Sequence, residues 1–523
     1  MTDITGQMII GSTRLYGAGK AFYAINPATD ETLEPAFGAA LTDDVDRACA
    51  LASAAYDTYR NLSPETRASF LECIAEEIDT LGDALIDRAH QETALPNARL
   101  NGERGRTTSQ LRLFAAVLRQ GDWADVRIEP ALPDRKPLPR PDMRTRTVPL
   151  GPVVVFGASN FPLAFSVAGG DTASALAAGA PVVCKAHPAH PGTSELVGQA
   201  IQKAAQRCHL PEGVFSLLLD DGHQVGAQLV QDSRIKAVGF TGSRLGGLAL
   251  MNLAAQRPEP IPVYAEMSSI NPVFLLPNAL GNRNADIAQG FVASLTQGAG
   301  QFCTNPGLLI ALDGKDLQRF MANATSELAI APAQTMLTPG IHQAYVRHVA
   351  SLDLQASTTR MATGLSPEGP NQCQAQLYQT TATEFMNTPA LAEEVFGPCA
   401  LVVRCQSEQE MTQVANQLEG QLTATLHLDD ADHELAQQLI SRLELRVGRI
   451  LCNGFPTGVD VGHAMVHGGP FPATSDGQST SVGSAAIRRF LRSVCYQDLP
   501  ENLQPLSTSR ENPWRFPQWT DNS

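Results

Sequence analysis

One cysteine lies in a setting that suits a nucleophile. Cys303 lies within GQFCTNPG at residues 300–307 and is one of ten cysteines in the chain. The preceding glycines allow the backbone to approach a ligand and to expose its amides, so the thiol is a candidate nucleophile; a small buried structural residue is the alternative. A helix that begins near this turn would lower the pKa of the thiol.

A cysteine nucleophile also needs a base and a donor for the developing oxyanion, and two distant segments offer them. Glu266 in VYAEMSSINP follows a strand-like run, where partial burial would raise its pKa; a surface carboxylate at a strand end is the alternative. Asn160 in GASNFPLAF follows another such run, and its amide would either donate to an oxyanion or cap a helix.

The elements around these residues alternate between strand-like and helical patterns. Residues 39–93 are rich in helix formers, and SPET at 63–66 is typical of a helix start. From 151 onwards, β-branched runs alternate with helical stretches such as 161–179, and a second alternating region spans 266–460. This order predicts doubly wound parallel sheets, while the proline-rich residues 125–150 and the tail from about 484 predict extended segments.

Bulk composition excludes several classes of protein. The chain has 523 residues, 43% of them hydrophobic and 17% charged, which predicts two to four globular domains. Its net charge of -15 argues against a nucleic-acid partner. The N-terminal stretch resembles no secretory signal and no long apolar run follows, so we expect a cytoplasmic protein with no membrane partner. The scattered cysteines indicate neither a metal site nor disulfides.

Five segments together resemble the aldehyde dehydrogenase superfamily. They are SNFPLAF at 159–165, FTGS at 240–243, Glu266 after its strand, GQFC ending at Cys303, and EEVFGP at 393–398. The resemblance spans roughly residues 20–495. Three further stretches, CKAHPAHPGTSE, AEMSSINP and HGGPFPATSD, resemble the branch that contains α-ketoglutaric semialdehyde (2,5-dioxovalerate) dehydrogenases and an NADP-dependent fatty aldehyde dehydrogenase.

This resemblance implies a fold and an assembly. The fold would be α/β and of the aldehyde dehydrogenase type, with a Rossmann-variant cofactor domain at 1–124 and 147–265. An α/β catalytic domain would follow at 266–465, and residues 125–146 and 466–523 would form a small β element for oligomerisation. A homodimer or a homotetramer is expected.

The resemblance also implies a mechanism. The Cys303 thiolate would attack an aldehyde, the Asn160 amide and the Cys303 backbone N–H would hold the oxyanion, and hydride would pass to a nicotinamide. Glu266 would then activate the water that hydrolyses the thioester. The alternative is a scaffold of the same fold without turnover, against which the joint presence of the three residues argues.

The cofactor is expected to be NADP, with NAD as the alternative. The sequence has no GxGxxG, so the cofactor residues come from the resemblance: Lys185 at the ribose, the turn Thr241, Gly242 and Ser243 at the pyrophosphate, and Glu394 and Phe396 at the nicotinamide end. NAD-preferring relatives commonly have glutamate three residues after the lysine, where this chain has Pro188. His187 or His190 would approach a 2'-phosphate. The alternative is that both histidines lie in a proline-rich loop without contacting the cofactor.

Substrate choice depends on a small set of side chains. Arg106 would face the tunnel and grip a terminal carboxylate, which favours α-ketoglutaric semialdehyde. Alternatively, Arg104, Arg106 and Arg112 all lie on a solvated helix face. Phenylalanines would instead shape a channel for a medium or long aliphatic aldehyde, and the candidates are Phe165, Phe302, Phe455 and Phe156.

Overall fold

The computed structural model describes residues 3–521, so the outermost residues of the predicted segments 1–124 and 466–523, namely 1–2 and 522–523, lie outside the described part. Its first large sheet has seven strands. Five are parallel and lie in the order Val263–Glu266, Ala237–Thr241, Val153–Phe156, Val182–Lys185 and Phe215–Leu218; the antiparallel strands Met8–Ile10 and Thr13–Leu15 complete the sheet. The short valine runs are buried, as expected for parallel strands covered on both faces.

Helices pack with this sheet into one apolar core. They are Thr42–Arg60, Pro64–Thr80, Gly82–Thr93, Asn97–Gln120, Gly170–Ala178, Pro191–Arg207, Gln224–Gln231 and Arg244–Ala255. The helix start predicted at SPET is confirmed, because the Ser63 hydroxyl accepts from the backbone N–H of Thr66 at 3.0 Å. A cap of this kind contributes about 1 kcal/mol.

The helix predicted over 161–179 is only half present. It begins at Gly170, and residues 161–169 form turns instead. The buried Glu103 carboxylate accepts from the backbone N–H groups of Leu163 and Ala164 at 2.8 and 3.0 Å. A long-range partner thus satisfies amides in this stretch, which the local sequence pattern does not reveal.

A second seven-stranded sheet contains the strands of the 266–460 region. Its spatial order is Thr359–Thr363, Gln376–Thr381, Cys399–Cys405, Leu308–Leu312, Pro272–Leu275, Gln421–His427 and Val447–Cys452, and all neighbours except the first pair run parallel. The accompanying helices are Pro277–Asn282, Asn284–Thr296, Lys315–Ala329, Pro339–Leu354, Ala382–Asn387, Glu408–Gln417 and His433–Leu443. Gln334–Thr335 and Gln372–Cys373 form a separate short pair.

The proline-rich stretch and the tail form a third sheet, as their extended patterns predict. Its strands lie in the order Leu491–Gln497, Met143–Pro149, Val126–Glu129 and Gln518–Thr520. A separate hairpin pairs Ala21–Asn26 with Glu31–Gly38. Short 3₁₀ turns occur at Asp122–Ala124, Gln297–Gly300, Pro389–Ala392, Asp430–Asp432, Ser484–Phe490 and Glu501–Leu503. None of the described helices has an apolar run long enough to cross a bilayer.

The carboxyl edge of the first sheet collects the candidate residues. Thr241 pairs in register with Glu266, and Phe156 pairs with Lys185. The backbone N–H of Gly242 donates to the Glu266 carbonyl at 3.0 Å. Ligands of open α/β sheets bind at this edge, so the register brings the predicted cofactor turn and the predicted base together.

Candidate active site

Glu266 lies inside the protein at the end of its strand. It is 3% exposed, which excludes the surface-carboxylate alternative. Its carboxylate accepts from the Ser481 hydroxyl at 2.9 Å, and its other oxygen lies 3.0 Å from Nε2 of His467. Burial alone would raise the pKa of Glu266, but the charge and hydrogen bond of His467 and the bond from Ser481 hold it below its usual value. The expectation of a raised pKa is therefore wrong, because these partners stabilise the carboxylate.

Cys303 occupies a half-buried turn and not a helix start. Within the described segment 297–307 a 3₁₀ turn follows the end of helix Asn284–Thr296, and no α-helix begins there, so the expected help from a helix dipole is absent. Burial raises the pKa of the Cys303 thiol well above its usual value, and the charges of Glu266 and Glu394 raise it further, whereas Arg106 lowers it. The thiol therefore carries its proton until a neighbouring base takes it.

That neighbouring base is in place. The Cys303 sulfur lies 3.4 Å from Nε2 of His467, the same nitrogen that contacts Glu266. Because Nε2 faces a carboxylate that can only accept, the imidazole carries a proton on Nε2 in this arrangement. Nδ1 of His467 is buried and has no hydrogen-bond partner. Thiol, imidazole and carboxylate thus form a hydrogen-bonded chain in which Nε2 of His467 donates to Glu266, and the Glu266 carboxylate, which is also hydrogen-bonded to the thiol, is the group able to accept the thiol proton.

Gly300 is required where two of the sequence motifs meet. A Cβ on Gly300 would lie 2.4 Å from the carbonyl carbon of Gly397 and the nitrogen of Pro398, and its φ is +64°. The backbone before Cys303 therefore touches the EEVFGP segment directly, and only glycine permits this approach. The contact holds the nucleophile turn against the segment that contains Glu394.

Asn160 lies beside the nucleophile turn, as its predicted role requires. It is buried, and its side-chain amide donates to the Gln301 carbonyl at 3.0 Å. The backbone carbonyl of Asn160 accepts a hydrogen bond from the Arg99 guanidinium at 2.7 Å. Since the next helix begins only at Gly170, Asn160 does not cap it. A carboxamide has two N–H donors, so one remains for a ligand oxygen.

His467 is the functional residue that sequence reasoning missed. It is 1% exposed, and its sequence distance from Glu266 is 201 residues. The segment around it is fixed by backbone bonds, because Met267 N–H donates to the Ala473 carbonyl at 2.8 Å and Ser475 N–H donates to the Ala265 carbonyl at 2.9 Å. The only sequence signal was HGGPFPATSD, which the family resemblance quoted without assigning the histidine a role.

We expect His467→Gln to move the acid limb of the pH–rate profile for thioester hydrolysis to higher pH. In the mechanism that the resemblance implies, hydrolysis needs the Glu266 carboxylate, and the carboxylate is lost as pH falls through the pKa of Glu266. His467 holds this pKa down, so its removal raises the pKa and the carboxylate form then requires a higher pH. Near neutral pH we expect the rate to fall about tenfold or more. An unchanged acid limb would contradict the proton chain; the exposed His433→Gln is the control.

The same three side chains have the geometry of a ligand set. Among the described residues, one group of three has its potential ligand atoms within 4.8 Å of one another: Glu266, Cys303 and His467. These are the atoms assigned to proton transfer and nucleophilic attack. The expectation from the sequence that the protein has no resident metal stays a prediction.

The predicted pyrophosphate turn joins a strand to a helix. Thr241 ends its strand, and Ser243 caps the helix Arg244–Ala255 by accepting from Gly246 N–H at 3.2 Å. The N-terminus of such a helix presents free N–H groups to an anion. Lys185 ends the strand Val182–Lys185, which lies two strands away from Ala237–Thr241 in the sheet. The Lys185 ammonium donates to the Asp220 carbonyl at 2.7 Å, and burial lowers the pKa of Lys185.

Glu394 and Phe396 line a cavity of about 490 Å³ together with Phe302 and Asn305. Burial raises the pKa of Glu394 to about 8, and the charge of Glu266 also raises it. Glu394 in turn raises the pKa of Cys303, so the cavity borders the nucleophile. The cavity expected to receive the nicotinamide end is therefore within electrostatic reach of the Cys303 thiol.

The two histidines of the Lys185 loop have different surroundings. His190 is fully buried. Its ring nitrogens lie 2.8 Å from the Ala158 carbonyl and 3.2 Å from the Ser194 hydroxyl, so both nitrogens have partners inside the protein. His187 is half-buried, and its Nδ1 accepts from Ala189 N–H at 3.1 Å, which leaves Nε2 as a donor. Burial lowers the pKa of His187 well below its usual value, and His190 and Lys185 add to this effect.

Arg106 does not lie on a solvated helix face. Its guanidinium lies 5.2 Å from the ring centre of Phe165 and 5.9 Å from that of Phe161, and its Nε and Nη2 are buried without partners. The exposed Arg112, by contrast, pairs with Asp79 at 2.7 Å. Of the three predicted arginines, Arg106 contacts the aromatic side chains near Cys303; Arg99 on the same helix does so as well.

The predicted phenylalanines separate into two groups. Phe165 lies 6.2 Å from the His467 ring, and Phe161 lies 5.3 Å from Phe165 and 5.5 Å from Phe302, measured between ring centres. Phe455 packs elsewhere, at 4.7 Å from the ring of His427. Phe156 packs against Phe240 in the first sheet. Phe161 and Arg99, which stacks on Phe161 and Phe302, were missed by sequence reasoning.

Comparison with known proteins identifies the class that this fold and site define. Residues 16–492 match the aldehyde dehydrogenase family, and the chain belongs to that family. It is 55% identical to α-ketoglutaric semialdehyde dehydrogenase 2 of Azospirillum brasilense, with 99% of each chain covered. It is 46% identical to α-ketoglutaric semialdehyde dehydrogenase of Acinetobacter baylyi, with 98% of this chain and 97% of the relative covered.

Solved structures agree with the fold. Betaine aldehyde dehydrogenase of Staphylococcus aureus in complex with NAD+ superposes with a TM-score of 0.81 at 19% identity, covering 95% of this chain and 96% of that chain. The predicted family, the α/β fold class and the prediction of an enzyme that oxidises aldehydes are therefore confirmed. The domain boundaries and the role of each site residue stay predictions.

Proposed function

We propose that the protein oxidises α-ketoglutaric semialdehyde to 2-oxoglutarate through a thioester on Cys303. The observation that carries this proposal is the buried chain of Cys303, His467 and Glu266 beside an arginine without an acidic partner, Arg106. The names of the two full-length relatives support the substrate. The aldehyde carbon would meet the thiol, and the distant carboxylate would meet the arginine.

The reaction begins with removal of the thiol proton. Burial and two nearby carboxylates keep Cys303 protonated, so Glu266, which is hydrogen-bonded to the thiol and held in place by His467, receives its proton as the sulfur attacks the aldehyde carbon. Proton transfer along this path leaves the buried site with no extra net charge, which lowers the cost of forming the nucleophile.

The aldehyde oxygen becomes an oxyanion when sulfur adds to the carbon. The free N–H of the Asn160 amide and the backbone N–H of Cys303 would stabilise it, and one such donor contributes about 10²–10³-fold to the rate. Lys185, the turn at Gly242 and Ser243, and Glu394 would hold a nicotinamide dinucleotide, which would supply the hydride acceptor for the oxidation that leaves an acyl group on Cys303.

Glu266 completes the reaction as a general base. After the proton taken from Cys303 has passed to solvent, its lowered pKa keeps Glu266 ionised at neutral pH, and it takes a proton from the water that attacks the thioester. Ser481 holds one carboxylate oxygen in place. The acid then leaves, and Cys303 recovers its proton.

Arg106 and a second arginine would read the substrate carboxylate. Arg449 donates to the carbonyls of Gly458 and Pro456, each at 2.9 Å, and its Nε is buried without a partner. Burial lowers the pKa of Arg449, Cys303 opposes that effect, and Arg106 adds to it, so the two arginines lie within electrostatic reach of each other and of the nucleophile. Neither arginine forms an ion pair within residues 3–521. Two such cations favour an anionic substrate.

An aliphatic aldehyde is the second candidate substrate. Phe161, Phe165 and Phe302 form an aromatic cluster beside His467 and Arg99, and such a wall would accept an alkyl chain. A substrate comparison distinguishes the two candidates.

We expect the wild-type enzyme to have a higher kcat/KM for α-ketoglutaric semialdehyde than for succinic semialdehyde or hexanal. Arg106→Leu should lower kcat/KM for α-ketoglutaric semialdehyde by about 100-fold and change that for hexanal only a few-fold, because a lost bidentate contact affects the charged substrate alone. Arg112→Leu on the same helix is the matched control. A wild-type preference for hexanal would reject the proposed substrate.

We also propose that NADP is the preferred cofactor. Pro188 offers no carboxylate to repel a 2'-phosphate, and His187 presents Nε2 as a donor. One observation favours NAD: the buried Asp220 has an oxygen without a partner near Lys185, and a carboxylate there can accept from a ribose diol. Rates with NADP and NAD in the same substrate series test this, and Asp220→Asn should shift the ratio further toward NADP.

A homodimer or homotetramer is proposed as the assembly. Val447–Cys452 and Leu491–Gln497 are terminal strands of their sheets, and open edges invite pairing with another chain. Light scattering coupled to size exclusion gives the copy number directly; a monomer would contradict the proposal.

A further inference from the structure

A second cavity lies away from the catalytic residues, between the cofactor domain and the arm sheet. Its walls include three arginines and three aromatic side chains: Arg60, Arg67, Arg146, Trp123, Trp514 and Phe516. It forms where the end of the first long helix, the strand Met143–Pro149 and the C-terminal tail meet. The mechanism uses none of these residues.

The positive charge of this cavity is poorly balanced. Arg67 is 3% exposed; it donates to the Ala177 carbonyl at 2.8 Å and lies 5.0 Å from the Trp123 ring centre, yet its Nε has no partner. Burial lowers the pKa of Arg67 to about 10, Tyr59 opposes this, and Arg146 adds to it, with no carboxylate acting on the group. A buried cation without a counter-charge is costly, which points to an anion.

The other two arginines leave the balance positive. Arg146 donates to the Tyr496 hydroxyl at 3.3 Å. Arg60 pairs with the exposed Asp57 at 2.9 Å. Among the described residues, the three guanidinium groups together have one carboxylate partner, Asp57, which pairs with Arg60. The net charge of the whole protein, by contrast, is -15. Such a concentration of cations runs against the composition of the whole protein.

A hydroxyl on the opposite wall adds a further donor. Ser507 lies in the tail, is 1% exposed and lines the cavity, and its Oγ has no hydrogen-bond partner. Buried polar atoms are normally paired, and here two donors from separate parts of the chain, Arg67 Nε and Ser507 Oγ, remain unpaired in one cavity.

We propose that this cavity is a binding site for a small anion that bears carboxylate or phosphate oxygens. Arg67, Arg146 and Ser507 supply the donors, and Trp123 and Phe516 contact the rest of the ligand. A bound anion bridges the first helices, the arm and the tail, so it stabilises the arm against the cofactor domain. This site is separate from the proposed substrate and cofactor residues and does not depend on their assignment.

Tryptophan fluorescence tests the proposal in the full-length enzyme. Two of the three tryptophans, Trp123 and Trp514, line the cavity, and the third, Trp519, is exposed. We expect inorganic phosphate or 2-oxoglutarate, titrated at constant ionic strength with chloride, to change the fluorescence in a saturable manner. Comparing the two probes distinguishes a phosphate from a carboxylate ligand. Arg146→Met should weaken the apparent affinity by at least about tenfold, since one charge-assisted bond is lost.

Two variants complete the test. Arg492→Met, on the strand next to Arg146 but outside the cavity lining, should bind as the wild type does. If Arg146→Met does not fold, Ser507→Ala takes its place, with a weakened affinity expected. No saturable change with either anion overturns the proposal, as does equal binding by wild type and variant. A signal that follows protein concentration instead of anion concentration also overturns it, because a second copy of the chain would then fill the cavity.

Discussion

Cys303→Ala is expected to lower kcat/KM for aldehyde oxidation by about 10⁴-fold or more, with the fold and cofactor binding intact. The Cys303 sulfur lies beside the imidazole of His467 and the buried carboxylate of Glu266. Of these three groups, only the sulfur can form the thioester, and alanine removes it. Residual aldehyde oxidation in the variant is measured from nicotinamide absorbance, and acylation from the mass of the protein after incubation with substrate.

The exposed Cys452→Ala is the control for Cys303→Ala, since both lose one thiol. It should keep wild-type rates. A Cys303→Ala enzyme that oxidises aldehyde at the wild-type rate would show that the reaction does not pass through a thioester on this residue.

Glu266→Gln is expected to separate the two halves of the reaction. In the variant Nε2 of His467, 3.4 Å from the sulfur, no longer faces a carboxylate, so it can present its lone pair to the thiol, accept its proton and let the first hydride transfer occur. Hydrolysis loses its base, and the steady-state rate should fall by about 10²–10⁴-fold. Rapid mixing should then show a burst of reduced nicotinamide equal to the concentration of active sites, followed by a slow phase.

The exposed Glu259→Gln, which loses an ion pair with Lys236, should show neither change and serves as the control. If the burst and the slow phase of Glu266→Gln disappear together, Glu266 is required before the thioester forms, and the expectation that His467 can take the thiol proton in this variant is wrong.

The order of the sequence motifs predicts which residues form the candidate site. Cys303, Glu266 and Asn160 each follow local patterns, a glycine-rich turn or the end of a strand, and the sheet register then brings such ends together. The start of the helix at Ser63 was readable for the same reason, because a cap depends on residues three positions apart.

The parts that the sequence did not reveal depend on distant contacts. His467 reaches Glu266 across 201 residues, and that contact reverses the expected direction of the Glu266 pKa shift. Glu103 accepts from the amides of Leu163 and Ala164 in the non-helical stretch 161–169, about 60 positions away. Where a helix start was expected at Cys303, the preceding turn instead packs against the EEVFGP segment, and Gly300 there has a φ of +64°.

The hydrogen bond from Gly242 to the Glu266 carbonyl connects two steps of the reaction mechanically. The turn expected to hold the pyrophosphate and the base that releases the product belong to one rigid pair of strands, with Thr241 opposite Glu266. A slip of one residue in that pair would turn Glu266 to the other face of the sheet and displace the turn as well. Insertions or deletions between residues 244 and 262 that disturb the pairing of these two strands would therefore impair cofactor binding and hydrolysis together. A sequence change in this connection cannot alter one of the two functions without altering the other.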